Sequence, residues 1–334
     1  MTTISSINTT SDLNFLDYIG AVKARWAINR NNYKILAGLY SLGNPNKNSL
    51  VFVTANYKLS FDALRKNLSE IDAWILVLDT KGVNVWCAAA KGTFGTEELI
   101  SKIESTNLVN FVNHKKIILP QLGAVGVSAH EIKQKTGFTV NYGPVEAKDI
   151  KQYIVNGLRS DRKMRTVEFN TFQRLKLTPV ELVNGIKNFI LFAVAFIILS
   201  GIYKSGYSID IAFHKGLRSV LFLSIAFASG TILSPILLPI LPFRHFSLNG
   251  LSVGLILSAF IFFLGFNDIS VFEKISWMIM IPSISSFLFL NFTGSTTYTS
   301  LSGVLKETKT FLPIIIVLFV IGFIFWLISN FLIS

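Results

Sequence analysis

Residues 73–92 read AWILVLDTKGVNVWCAAAKG, and this stretch decides the fold of the N-terminal half. Ala73 to Leu78 is an unbroken apolar run, which suits a strand covered on both faces. Asp79-Thr80-Lys81-Gly82 reads as a turn. Asn84 is a favoured N-cap residue, so Val85, Trp86 and Cys87 take the first three positions of a short helix that Ala88, Ala89 and Ala90 continue and Gly92 stops. Working outward, Leu50 to Thr54, Lys116 to Leu119 and Phe138 to Tyr142 are further strand-like runs, each followed by a segment of helical character. Ser60 before Phe61-Asp62, Thr96 before Glu97-Glu98 and Ser128 with Glu131 mark helix starts, the last as a capping box. The expected fold is an open, mostly parallel α/β domain over residues 35–157, with residues 1–34 as an N-terminal extension. Ligands bind such sheets beyond the carboxyl ends of the strands. Those ends are Thr54, Ala55, Asn56 and Tyr57; Asp79 to Gly82; Pro120, Gln121, Leu122 and Gly123; and Tyr142-Gly143-Pro144. The pattern alone leaves open whether they form a pocket or ordinary turns.

The whole chain of 334 residues is too apolar for an ordinary soluble protein, with 51% hydrophobic and 15% charged residues and 29 Phe. Residues 1–186 hold 23 of the 31 Lys and Arg and 15 of the 19 Asp and Glu, so the second half is a different kind of object. Its charge-free stretches, 188–203, 219–243, 246–267, 275–305 and 310–334, are read as five membrane spans. The first begins before Lys187, Pro235, Pro239 and Pro242 kink or end the second, and residues 294–303 form a loop after a helix ending near Phe292. Residues 158–182 become a basic juxtamembrane linker and 183–334 an all-α membrane domain of five transmembrane helices. Arg159, Arg162, Lys163, Arg165, Arg174 and Lys176 precede the first span, which places the N-terminal domain in the cytoplasm and the C-terminus outside. The first 30 residues lack the apolar core of a secretory signal. The spans show almost no ionisable residue, which argues against a pathway for charged substrates and for anchoring.

Cys87 is the chain's one cysteine, so no intramolecular disulfide and no multi-cysteine metal site is available. Two readings of it stand at this point. A lone free cysteine is commonly a small buried hydrophobe. Its place in the first turn of a helix, with Lys91 one turn on, instead favours a thiolate. The three alanines would leave that face low enough for a large flat partner. No G-x-S-x-G, Walker A or G-x-G-x-x-G pattern appears, and His114 and His130 have no evident orienting partner.

The stretch Asn84 to Thr96, NVWCAAAKGTFGT, closely resembles the cap-helix motif of the HgcA family, the corrinoid proteins of microbial mercury methylation. Gly38 to Pro45, Ala55 to Asp62, Ala73 to Thr80 and Ile118 to Ala124 agree with it, and five spans after the soluble domain fit the family's layout. A broader similarity is to the corrinoid-binding domain of the corrinoid iron–sulfur protein of the acetyl-CoA pathway. The resemblance implies a corrinoid held base-off, a cobalamin-type cofactor, between the cap helix and the strand-end loops, with Cys87 as the lower axial ligand of cobalt. A thiolate is a soft, strong donor that enriches the opposite methyl group in electrons. The site residues it implies are Thr54, Ala55, Asn56, Asp79, Thr80, Asn84, Val85, Trp86, Cys87, Ala88, Ala90, Lys91, Gln121, Leu122, Gly123 and Tyr142. Where the family usually has Gly before the motif's Lys, this chain has Ala90, whose methyl would crowd the corrin face; Val125 stands where Pro is common.

What the resemblance implies for function is a multi-pass enzyme of the cytoplasmic membrane that transfers a methyl group from the Cys-ligated corrinoid to Hg(II), forming methylmercury. Its implied partners are a ferredoxin with two 4Fe–4S clusters and a methyltransferase linked to methyltetrahydrofolate. With no iron–sulfur cluster expected on this chain, the excess positive charge would serve orientation and an acidic ferredoxin, not nucleic acid. Two alternatives stand beside it: a paralogous methyl carrier for another acceptor in one-carbon metabolism, and a non-catalytic corrinoid-binding membrane protein.

Overall fold

The computed structural model describes residues 6–265, 269–296 and 300–332. It divides into two compact units, Met1–Val167 and Glu168–Ser334.

The first unit is built on six strands: β1 (Ile7–Thr9), β2 (Gly38–Leu42), β3 (Val51–Ala55), β4 (Ala73–Leu78), β5 (Lys116–Leu119) and β6 (Thr139–Tyr142). Their order is β1-β2-β4-β3-β5-β6, and all neighbours are parallel except β2 and β4. The helices are α1 (Phe15–Arg25), α2 (Lys58–Asn67), α3 (Val85–Lys91), α4 (Thr96–Ser105), α5 (Ala129–Thr136) and α6 (Ile150–Val155). Because strand side chains alternate, β3 to β5 feed two separate cores. Val53, Leu76 and Leu119 pack with Val85, Leu99 and Ile132 from α3, α4 and α5. Phe52, Ile75 and Ile118 pack with Phe61 and Leu64 of α2 and Ile150 of α6. The sheet is therefore covered on both faces, which is why every residue of β3 and β4 is buried.

The four expected strands are all present. β1 and β2 are additions: the sequence GLYSL carries Gly and Ser and reads as loop, yet four of its five residues are buried against β4. Residues 6–34 are folded onto the sheet edge through β1 and α1. Asn14 and Asp17 form a reciprocal capping box at the start of α1. Asp17 then meets Arg65 Nη2 at 2.6 Å and Lys58 Nζ at 2.6 Å, and both cations also bind Asp62. The free Nη1 of Arg65 donates to the carbonyls of Thr10 and Asp12, so one guanidinium ties the N-terminal segment to α2. Burial opposes ionisation of Asp17, but the bonds from Lys58, the Asn14 backbone and Arg65 outweigh it and hold the carboxyl below its ordinary range.

Two helix starts differ from expectation, and a third keeps its N-cap residue without the expected box. α2 begins at Lys58, not after Ser60, because Tyr57 is the last extended residue of the buried β3 segment. α4 is capped by Gly95, leaving the Thr96 hydroxyl to accept from Ser128 N–H at 2.8 Å. Ser128 does occupy the N-cap of α5, but its side chain makes no cap bond, so the capping box is not formed.

The second unit holds α7 (Thr171–Leu175), α8 (Thr178–Ser200), α9 (Ile209–Ala228), α10 (Ser234–Leu237), α11 (Phe246–Leu264), α12 (Val271–Asn291) and α13 (Leu301–Phe331). Five stretches are long and apolar enough to cross a membrane: Thr171–Ser200, Ile209–Ile240, Phe246–Phe263, Val271–Gly294 and Ser302–Phe331. A π turn at Ser229–Leu233 and a 3-10 turn at Leu238–Ile240 break the second around its prolines. Residues 266–267 of the expected third span, 297–299 of the expected loop and 333–334 at the end lie outside the described residues. The reading that the spans are almost free of ionisable groups is corrected. The charge-free run of the second span starts at 219, but α9 starts at Ile209, and so it carries Lys215 and Arg218 inside the bundle. Arg218 binds buried Glu273 of α12 through two hydrogen bonds of 2.9 and 2.8 Å, and Lys215 donates to Ser329 Oγ at 2.9 Å.

Candidate functional site

The carboxyl end of β4 leads to α3 through a turn whose two central residues, Lys81 and Gly82, have positive φ. Buried Asn56, just after β3, holds that turn. Its Oδ1 accepts from the N–H groups of Thr80 (3.2 Å) and Gly82 (3.0 Å), and its Nδ2 donates to Asp79 Oδ1 at 2.9 Å. Thr80 Oγ1 lies 2.6 Å from the Val83 carbonyl and 2.9 Å from Asn56 Oδ1. The Lys81 ammonium, hydrogen-bonded to Asp79, keeps that carboxyl below its ordinary range.

From this turn α3 starts as the sequence implies. Asn84 Oδ1 accepts from Cys87 N–H at 3.0 Å, and Gly92 ends the helix at φ +81°. With about 100° between successive residues, the alanines do not share one face. Ala88 and Ala89 are buried in the core, while Cys87, Ala90 and Lys91 are exposed together. The expectation of a three-alanine face is corrected to a face of one alanine beside the thiol. The reading of Cys87 as a buried hydrophobe falls too, because the cysteine is exposed. The turn Gln121–Gly123 and its continuation press on α3 from one side. A Cβ on Gly126 would lie 2.3 Å from Phe94 O and 3.0 Å from Ala89 Cα, so only glycine permits this approach.

A cavity of about 250 Å³ opens at the carboxyl ends of β3 and β5 beside the start of α3. It brings together Thr54, Asn84, Val85, Trp86 and Leu122 of the expected site residues, with Gly143 and Pro144 of the expected strand end and with Ser60, which was expected only to start a helix. Ala55, Asn56, Thr80, Ala88 and Gly123 are buried and spent on the turn or the core. Asp79 is held by Asn56 and Lys81, Gln121 is half-buried in the loop beside α3, and Tyr142 donates its hydroxyl to Val127 O at 2.9 Å.

Tyr57 closes the strand-end loop Thr54 to Tyr57 that was expected on the ligand side. It is 4% exposed, and its hydroxyl is buried without a hydrogen-bond partner among the described residues. Burial pushes its pKa up, the charges of Arg30 and Arg25 pull it down, and Cys87 is close enough to push it up again. Its place just past β3, in the predicted ligand-side loop, was the available signal.

Residues 29–154 match the family model described as CO dehydrogenase/acetyl-CoA synthase delta subunit. They form a domain like that of the corrinoid/iron–sulfur large subunits. The large-subunit-like domain is 33% identical over 124 residues to the corrinoid/iron–sulfur protein large subunit of Moorella thermoacetica, covering 36% of this chain and 27% of that protein. It is 34% identical over 121 residues to the acetyl-CoA decarbonylase/synthase complex subunit gamma of Methanocaldococcus jannaschii, covering 36% and 24%. The corresponding subunit of Methanopyrus kandleri is 30% identical over 127 residues, covering 37% and 27%. The chain thus spans about a quarter of the length of these relatives. The matched segment ends before the second unit, so the five candidate spans are no part of the likeness.

Proposed function

We propose that this chain is a membrane-anchored corrinoid protein that passes a methyl group to Hg(II), with its large-subunit-like domain in the cytoplasm. The carrying observation is the exposed thiol of Cys87 on the open face of a capped helix at the ligand side of a corrinoid-protein-like sheet.

The residues present fit a corrinoid. Tyr57 Oη, at the same strand end, is buried without a partner among the described residues, where buried polar groups are otherwise hydrogen-bonded. The 250 Å³ cavity is too small for a whole corrin and suits one of its side groups, while the ring would lie on the face of Cys87 and Ala90. When bound, the cofactor would supply a methyl group carried on cobalt. The chain's own residues would do the rest: Cys87 would offer a soft thiolate donor to the metal, while Asn84 fixes the start of the helix that carries it and Asn56 and Gly126 hold that turn and the helix in place. Thr54, Ser60 and Trp86 would line the side-group pocket. A ferredoxin with two 4Fe–4S clusters is the proposed source of electrons. A folate-linked methyltransferase is the proposed methyl donor.

The test is methylmercury production by cells with and without the intact gene, under anaerobic conditions with Hg(II) supplied. Production that depends on the gene supports the reading. Corrinoid binding without any such production would favour the paralogous carrier, which Ala90 on the exposed face keeps in view.

A further inference from the structure

We propose that α1 is a surface anchor whose outward face lies in the headgroup layer of an anionic lipid bilayer, a proposal that rests on the membrane reading of the spans. Helices of a folded domain turn their apolar stripe to the core, and α1 does the reverse. Its inward side is Asp17 and Ala24, both buried, with Gly20 so near Tyr33 that a Cβ would lie 2.4 Å from the ring hydroxyl. Phe15, Tyr18, Val22 and Trp26, spaced by three, four and four residues, share the opposite side. They are 76%, 50%, 56% and 45% exposed, and exposed Leu16 and Ile28 widen the patch. An apolar surface of this extent marks an interaction site.

Charge, chain order and packing select lipid as the occupant. At about 100° per residue, Lys23 and Arg25 flank the stripe on its two sides, and both are exposed. The helix's one acid, Asp17, is turned inward to Lys58 and Arg65. Lys66 of α2 adds a further cation, its Nζ 5.8 Å from the Tyr18 ring centre. Tyr, Trp and aliphatic side chains on one face, edged by Lys and Arg, are what a helix lying in an anionic interface carries. Residues 168–170 alone separate this unit from the first candidate span, Thr171–Ser200, so the helix meets a bilayer as an intramolecular neighbour. Met164, just before that exit, packs in the same core layer as Phe61 and Leu64 of α2, and α2 is the helix that Asp17 binds. The exit of the chain and the helix that holds α1 therefore lie on one face of the sheet.

Spin labelling reads the contact in the full-length chain. A Cys87→Ser background carries one label at a time, at Val22→Cys, at Lys133→Cys on α5 across the sheet, or at exposed Val317→Cys within the last candidate span. The protein is reconstituted in nanodiscs of phosphatidylcholine with phosphatidylglycerol. Collisions with oxygen, which concentrates in lipid, are compared with collisions with a water-soluble nickel chelate. The Val22 label should show the lipid-like ratio of the Val317 label, and the Lys133 label the ratio of water. Lys23→Glu/Arg25→Glu should shift the Val22 label to the ratio of water while far-UV circular dichroism stays unchanged. A water-like ratio at Val22 beside a lipid-like one at Val317, or no shift in the charge variant, overturns this proposal alone. Shielding of the Val22 label from both relaxants, the mark of a protein contact such as a second copy, overturns it as well. A water-like ratio at Val317 overturns the membrane reading and this proposal with it.

Discussion

Asn84 Oδ1 and the backbone N–H of Cys87 are joined by a 3.0 Å hydrogen bond, so one side chain both starts α3 and fixes the residue that carries the thiol. The helix has seven residues, too few to persist on propensity alone. Asn84→Ala should destabilise the first unit by ~1 kcal/mol, and Asn84→Asp should restore most of it. Denaturant midpoints of the two variants check this.

Gly126 sits where the loop after β5 presses on α3, with Phe94 O at 2.3 Å from any added Cβ. Gly126→Ala must push the loop away. A loss of about 1–3 kcal/mol is expected from this overpacking, accompanied by weaker corrinoid binding, both measurable by titration of the purified chain. Full stability and affinity in the variant would show that the loop does not brace the helix.

Asp17 links α1 to α2 through Arg65 and Lys58. Because its folded-state pKa is depressed, it contributes stability above its unfolded value of about 3.9, and that contribution is lost as pH falls through the lower folded value. Asp17→Asn should cost about 1–3 kcal/mol at pH 7, since Lys58 and Arg65 lose charge-assisted bonds to Asp17 but keep Asp62. Urea unfolding between pH 7 and pH 2 should show the wild type losing stability below pH about 4 with a steeper slope than the variant.

Ala90 shares the exposed face with Cys87. Ala90→Gly should lower helix stability by ~1 kcal/mol and raise corrinoid affinity by removing a methyl from the approach path. Equal affinity in the two proteins would show that the methyl is tolerated.

Much of this was legible in the residues. β3 to β6 were visible because continuous runs such as Ala73 to Leu78 are what a doubly covered strand demands, and α3 was visible because Asn84 and Gly92 bracket it. β2 was hidden, since Ser41 and Gly38 gain strand character only by pairing with β4. The strand-end position of Asn56 and Tyr57 was legible, but the role of Asn56 as the brace of the next turn and the burial of the Tyr57 hydroxyl depend on contacts between separate strand ends. In the membrane unit Lys215 and Arg218 lie outside the charge-free run that starts at 219, and only the earlier start of α9 places them opposite Glu273.

The central claim is that Cys87 supplies the donor beneath cobalt. The direct measurement is the visible spectrum of the full-length chain loaded with a corrinoid, compared with Cys87→Ala. A shift in the corrinoid bands on loss of the thiol, with the corrinoid still bound, is the predicted result; superimposable spectra from the two proteins would contradict it.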